Sequence, residues 1–160
     1  MALRTRRRAR GATLIEFALV MLPLMTLIFG TIEFGRYFWV QHAIQFATRE
    51  GVRLALTGRQ LTDKNGNPMT REASIIQTID DKASIAVRTA DLQISIYPVN
   101  PDFSDPVGWQ GTQSAGNPGD YMRVRVRYQF QFLTPVFTAM LANGTMQVQA
   151  QSTYKNELFF

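Results

Sequence analysis

The feature that most constrains this chain is an apolar run close to its N-terminus. From Ala12 to Ile32 the sequence reads ATLIEFALVMLPLMTLIFGTI, which contains one charged residue, Glu16. As an α-helix this run is about 32 Å long, which matches the roughly 30 Å hydrocarbon thickness of a bilayer. We therefore predict one membrane-spanning helix over residues 12–33.

The basic residues indicate the direction in which this helix crosses. Five of the seventeen Lys and Arg residues precede the run, and the rest of the chain has twelve basic and twelve acidic residues. Because arginines beside a span stay on the cytoplasmic side, we expect a cytoplasmic N-terminus and an extracytoplasmic chain from about residue 34. The net charge of +5 thus belongs to an arm and does not indicate a nucleic-acid-binding face. The five arginines are Arg4, Arg6, Arg7, Arg8 and Arg10.

Two other interpretations of the apolar run are less favourable. A cleaved secretory signal has an apolar region of roughly 7–15 residues and a small-residue cleavage site, whereas this run is longer and has no convincing site of that kind. A helix on the surface of a globular core would be amphipathic, and this run is apolar all round. The membrane span remains the preferred interpretation.

Glu16 is the one residue that opposes insertion of the run. A charged side chain at the centre of a span costs about 2.5–3.5 kcal/mol on insertion scales. Glu16 lies about one turn inside the cytoplasmic boundary, so its carboxylate can reach the interface and have no specific role. The alternative is a functional carboxylate, as is usual for ionisable residues within membranes.

The residues around Glu16 resemble the type IV prepilin processing site. A basic leader, residues 1–11, ends in Gly11, and the segment that follows has Glu16 as its fifth residue. The resemblance implies that a prepilin peptidase cuts between Gly11 and Ala12. The new amine of Ala12 and the Glu16 carboxylate would then offset each other's desolvation, within one chain or between neighbouring subunits.

A longer stretch makes this resemblance more specific. R-G stands before the span, E-F-A-L inside it, Pro23 midway, G-T-I-E-F-G-R at its end, and A-T-R-E-G-V-R-L-A beyond. In this order of features the chain is similar to the TadE-like (TadE/TadF) pseudopilin family, strongly over about residues 9–56. Beyond that, the resemblance extends weakly to the paired strands and the S-T-Y-K-N-E run of residues 152–157. It does not distinguish TadE from TadF.

The resemblance implies a pseudopilin or minor pilin of the tight-adherence (Tad) pilus system. Such a protein is a single-pass protein of the bacterial inner membrane with a periplasmic C-terminal domain, and it associates with the pilus. Its implied partners are the membrane, the prepilin peptidase and other pilus-assembly proteins, namely pseudopilins, the major pilin or the inner-membrane platform. An uncleaved signal-anchored scaffold of the envelope is the alternative, and an envelope module for a soluble ligand is a more distant one.

Beyond the span we expect the helix to continue as a stem over residues 34–57. Glu33 and Arg36 are three residues apart and are predicted to form an interfacial ion pair that fixes the depth of the helix, with a contact to a partner protein as the alternative. Small residues recur every four positions in the stem and form a narrow groove for close helix packing. The favoured partner of this groove is the chain's own sheet, and a second subunit's helix is the alternative. The small residues are Ala43, Ala47, Gly51 and Ala55.

Residues 58–160 are predicted to form a small α+β domain. After a turn, residues 70–88 have the apolar spacing of an amphipathic helix, and three later segments alternate with period two. We expect an antiparallel sheet of about three strands, packed on helices by its apolar face. The predicted strands are residues 92–98, 122–132 and 145–154.

Two features of this outer domain remain open in the sequence. Arg123, Arg125 and Arg127 form a basic stripe on the polar face of the second strand. We predict a solvated face there, with lipid headgroups or an acidic partner as the alternative. The long loop over residues 98–119 contains Trp109, which is either a docking residue or a lid over the core.

The sequence does not predict an enzyme. His42, the only histidine, lies on the stem helix, and the chain has no cysteine, so neither a catalytic triad nor a thiolate metal site is indicated. The acidic pairs Asp80–Asp81 and Asp102–Asp105 have the spacing of solvated turns. We therefore expect no cofactor, no metal, no small-molecule substrate and no nucleic-acid partner.

Overall fold

The computed structural model describes residues 4–157, and it describes the side chains of residues 12–141 and 143–157. These residues form α-helices and a three-stranded antiparallel sheet, so the predicted α+β class is confirmed. The helices are α1 Arg4–Leu56, α2 Arg71–Ala83 and α3 Pro135–Met140; the strands are β1 Gln93–Pro98, β2 Tyr121–Gln131 and β3 Thr145–Lys155. Short 3₁₀ turns at Thr89–Asp91 and Ala142–Gly144 lead into β1 and β3.

Helix α1 is continuous over 53 residues and is about 80 Å long. It passes through Pro23 and ends at Leu56, within one residue of the end of the predicted stem. Gly58 terminates it with a positive φ of 62°, and its N–H donates to the Ala55 carbonyl at 3.1 Å. A glycine in this conformation just past the last turn is a common helix stop, because it has no Cβ to oppose the left-handed backbone.

The core lies between the second half of α1, helix α2 and the apolar face of the sheet. Because the stem half of α1 forms one wall of this core, residues 58–157 do not enclose a complete core by themselves. Its fully buried members include Ile44 and Ala47 of α1, Ile75 and Ile79 of α2, Ile96 of β1, and Met122, Val124 and Val126 of β2.

The sheet has the order β1-β2-β3. Val126 at its centre lies opposite Ile94 of β1 and Ala150 of β3, and all three are buried. The three strands begin and end within one residue of the predicted positions, because period-two alternation identified the face that packs on the helices.

Helix α2 is shorter than the predicted range of residues 70–88. It starts where expected, with Thr70 as the N-cap whose side chain accepts from the Ala73 N–H at 3.2 Å. It ends at Ala83, because the N–H groups of Ala86 and Val87 both turn back to the Ala83 carbonyl. This turn places Val87 in the core and directs the chain towards β1.

The short helix α3 was not predicted. Its sequence, PVFTAM, has no polar face, and six residues are too few to establish an amphipathic period. Pro135 occupies the start of the helix, where its missing N–H has no helical partner to lose. Residues 142–144 then reverse the chain into β3, with a left-handed φ of 58° at Asn143 and of 63° at Gly144.

The close crossing of α1 and α2 at Gly51 can be tested with a methyl group. A Cβ at Gly51 would lie 2.6 Å from Cγ1 of the fully buried Ile79. We expect Gly51→Ala to lower the free energy of unfolding by about 1 kcal/mol, because overpacking costs about 1–3 kcal/mol and alanine's helix propensity returns about 0.5–1 kcal/mol. Chemical unfolding of the full chain in detergent micelles measures this change.

Gly35 provides the matched control, because it lies in the same helix and a Cβ there would meet nothing within 4 Å. Gly35→Ala should leave the stability unchanged or raise it slightly. If Gly51→Ala proved as stable as Gly35→Ala, the close crossing would be refuted.

Candidate functional site

The first half of α1 projects away from the rest of the protein. Its leucine, isoleucine, valine and phenylalanine side chains between Leu14 and Phe29 are exposed, from 40% at Ile28 to 71% at Leu19. Thr26 and Thr31 donate their hydroxyls to the carbonyls of Leu22 and Leu27, so these polar groups are satisfied within the helix. Among the described residues α1 is the helix that is long and apolar enough to cross a membrane. Such a surface is suited to lipid contact.

The predicted processing site lies about two turns inside this helix, which begins at Arg4. Residues 1–11, including Gly11, are outside the residues whose side chains the structure describes. Ala12 and Glu16 are both exposed on α1. They lie four residues apart, so they lie on one helix face about 6 Å apart along the axis.

Among the charged side chains of α1 that the structure describes, from residue 12 onward, Glu33 is the most buried, with 3% of its surface exposed. Its Oε1 accepts from the backbone N–H of Leu133 at 2.7 Å, and from the N–H and hydroxyl of Thr134 at 2.8 and 2.9 Å. Its Oε2 accepts from Arg36 Nη1 at 2.9 Å, and the Arg36 guanidinium also lies 5.2 Å from the centre of the Phe130 ring. The carboxylate therefore joins α1 to the connection between β2 and α3.

Aromatic packing supports the same junction. The Phe137 ring of α3 lies 5.6 Å from the ring of Phe34 and packs over Gly30, where an added Cβ would lie 3.4 Å from the Phe137 Cζ. Phe132 packs edge-on against Phe34 at 6.5 Å. Helix α3 is thus held against α1 between Gly30 and Phe34, at the end of the predicted span.

The predicted groove of small residues is filled from within the chain. Ala43, Ala47, Gly51 and Ala55 are all buried. Gly51 faces Ile79 of α2, so this helix is a principal occupant of the groove beside the sheet. A second subunit therefore has no access to these four residues in this conformation. The stem face that remains exposed carries Phe38, Trp39 and Phe46, together with His42.

The prediction of a solvated arginine stripe was wrong. Residues 99–120 fold over the polar face of β1 and β2, and the indole of Trp109 lies between Tyr97 and two arginines. The guanidinium carbon of Arg125 is 4.2 Å from the indole centre, and that of Arg127 is 4.9 Å away. The loop also extends the sheet edge, since the Ile96 N–H donates to the Thr112 carbonyl at 2.7 Å. This surface is therefore internal rather than a ready contact for a partner.

Asp105, a residue of this loop, supplies the negative charge that faces the arginines of β2. It forms ion pairs with Arg123 and, at 2.8 Å, with Arg125, and it accepts a hydrogen bond from the Tyr97 hydroxyl at 2.9 Å. Burial alone would raise the pKa of Asp105, but the hydrogen bonds from Tyr97 and the two arginines outweigh it and lower this pKa below 3.8. Burial, then the hydrogen bond to Asp105, raises the pKa of Tyr97 to about 12.

Sequence reasoning missed the junction at Glu33. The spacing of Glu33 and Arg36 indicated their ion pair, but the donors at Leu133 and Thr134 lie a hundred residues away. The sequence carries one signal of this contact. Residues 128–154 contain no charged side chain, so no charge in that segment opposes its packing beside the apolar helix. In residues 12–141 and 143–157 the structure brings together no group of three or more His, Asp or Glu side chains that would hold a metal.

Comparison with known proteins identifies the N-terminal part of the chain. Residues 11–53 match the family model described as TadE-like protein, so the resemblance predicted from the sequence is confirmed over those residues. No curated protein and no solved structure matches the chain. The matched residues contain the apolar span and most of the stem, and together they fit a membrane-anchored protein associated with the Tad pilus.

Asp105→Asn tests whether the loop is held by charge. This change leaves Arg123 and Arg125, each about one-tenth exposed, without their counter-charge. We expect the free energy of unfolding at pH 7 to fall by about 1–3 kcal/mol. Because the folded-state pKa of Asp105 is lowered, its stabilisation is complete above its ordinary pKa and disappears as the pH falls through the folded-state value.

The two proteins should therefore differ at neutral pH; the difference should begin to shrink near about pH 4 and disappear only below the folded-state pKa of Asp105. Thermal unfolding between pH 2 and 7 measures this, with Trp109 fluorescence recorded in a Trp39→Phe background. Asp102→Asn is the control in the same loop, since the Asp102 carboxylate accepts hydrogen bonds from the N–H and hydroxyl of Ser104 instead of from the arginines. Parallel pH profiles for Asp105→Asn and wild type, with no offset, would contradict the ion-pair account.

Proposed function

We propose that this chain is a pseudopilin or minor-pilin-like component of a Tad pilus assembly system. Residues 12–33 anchor it in the bacterial inner membrane, with the N-terminus in the cytoplasm and the α+β domain in the periplasm. The observation that carries the proposal is the continuous helix α1, whose exposed apolar half lies within the residues that match the TadE-like family. The role is structural rather than catalytic.

Processing by a prepilin peptidase is part of this proposal. Cleavage after Gly11 removes the arginine arm and leaves Ala12 as the first residue of the mature helix. The new amine lies one helical turn from Glu16, and opposite charges at this spacing reduce the cost of placing either one in lipid. The Glu16 side chain is exposed, so the carboxylate is also available to the amine of a neighbouring subunit.

Partners are expected along the exposed surfaces of α1. The membrane covers the span, and the proposed protein partners are other pseudopilins, the major pilin or the inner-membrane platform. Phe38, Trp39 and Phe46 are each more than half exposed on the stem, above the span. This face, unlike the buried row of small residues, is open to another helix.

The mass of the mature protein tests the proposed processing. In cells with an active prepilin peptidase, we expect the purified chain to begin at Ala12 and to lack residues 1–11. Gly11→Leu should retain the leader, because a bulky side chain now occupies the residue that precedes the cut. N-terminal sequencing and intact mass spectrometry measure both proteins.

Gly35→Leu is a matched control, since it makes the same substitution in the same helix and is not adjacent to the cut. It should be processed normally. An intact leader on the wild-type chain beside an active peptidase would refute the processed pseudopilin and favour an uncleaved, signal-anchored scaffold.

A further inference from the structure

The outer domain touches α1 at the level where this helix leaves the membrane. Glu33 holds the backbone of Leu133 and Thr134, and Phe137 packs over Gly30. With Ala12 at the inner boundary, Gly30 lies about 27 Å further along the axis, within the roughly 30 Å of hydrocarbon. The start of α3 is therefore fixed at the outer boundary of the bilayer.

The side of this region that faces away from the protein is apolar. Leu133 is 69% exposed, Val136 44% and Met140 76%. Helix α3 packs Phe137 on α1 and leaves Val136 and Met140, one turn apart, uncovered. The Thr138 hydroxyl is satisfied by the Pro135 carbonyl at 2.9 Å. A short helix that is apolar on both faces is unsuited to water on its outer face.

This apolar surface is continuous with the span. Phe29 and Ile32 of α1 line one open groove together with Leu133, Thr134 and Pro135, and the paired side chains of Glu33 and Arg36 also line it. The nearest charges along the chain are Arg127 and Lys155, on either side of an uncharged segment of residues 128–154. Residues 128–154 therefore present no charge to lipid that covers Phe29 and Ile32 and continues over α3.

We propose that Leu133 and the Val136–Met140 face of α3 insert into the outer leaflet of the bilayer that holds α1. The partner is phospholipid, and the contact is a second, interfacial attachment beside the membrane span. It fixes the tilt of the outer domain, because α1 and α3 then both contact one bilayer surface. The inference rests on the proposed anchoring by α1.

The depth of the contact favours lipid over a second protein. A neighbouring subunit would have to approach α3 at the membrane boundary and displace lipid that already covers the adjoining residues of the span. Transfer of exposed apolar surface from water to lipid gains about 25 cal/mol per Å² without any such displacement.

Spin labels at single cysteines test this contact in the full chain. The chain has no cysteine, so each label occupies one known site. Val136→Cys and Met140→Cys are labelled, with Leu22→Cys as the marker of the span and Val107→Cys, fully exposed in the loop over the sheet, as the marker of water. The proteins are reconstituted in phosphatidylethanolamine–phosphatidylglycerol nanodiscs. Paramagnetic resonance then compares collision of each label with oxygen and with a nickel chelate.

We expect labels at residues 136 and 140 to collide at least several-fold more often with oxygen than with the nickel chelate, as at residue 22, and residue 107 to show the opposite. Nickel accessibility at 136 and 140 equal to that at 107, with 22 protected, overturns the inference and leaves the anchor intact. Protection of 136 and 140 from both reagents indicates a second protein copy and also overturns it. Nickel access at residue 22 would overturn the inference and the proposed anchoring together.

Discussion

The carboxylate of Glu33 is the interaction on which the relation between membrane helix and outer domain depends. Removal of an ion from water costs several kcal/mol, so a carboxylate with 3% exposure persists only while its donors stay in place. Three of these donors belong to Leu133 and Thr134, at the point where the chain leaves β2 for α3. The position of α3 on α1 is therefore coupled to the ionised state of one side chain at the membrane boundary.

Helix α1 meets two different surroundings along one continuous backbone. Its first half has exposed apolar side chains suited to lipid contact, and its second half forms a wall of the protein core. Because Glu33, Phe34 and Gly30 are all in contact with the β2–α3 region, the boundary between the halves is braced rather than hinged.

The sequence predicted those parts of the fold that depend on local period. The span, the end of α1 and the three strands follow from runs of apolar residues and from alternation. The arginine stripe was misread because alternation shows only that Arg123 and Arg125 face away from the core. It carries no information about Asp105 and Trp109, which a loop brings over that face.

The remaining differences also come from contacts that are distant in sequence. Helix α3 is too short and too uniformly apolar to be predicted, and it is held by Phe137 on Gly30 and Phe34. At the candidate site, the spacing of Glu33 and Arg36 gave the ion pair but not the backbone donors that make Glu33 a tertiary contact. The processing residues Gly11, Ala12 and Glu16 were found through a family resemblance, and their role remains part of the proposal.

Amide hydrogen exchange at Leu133 and Thr134 tests the role of Glu33 most directly. In the full chain in nanodiscs, Glu33→Ala should speed exchange at these two amides by about tenfold or more, because a lost bond to a charged group is worth about 1.5–3 kcal/mol. Glu50→Ala, which removes the 28%-exposed partner of Arg53 elsewhere on α1, should leave both amides unchanged. Unaltered exchange at Leu133 and Thr134 in Glu33→Ala would contradict the account, because the outer domain would then be held on α1 without this carboxylate.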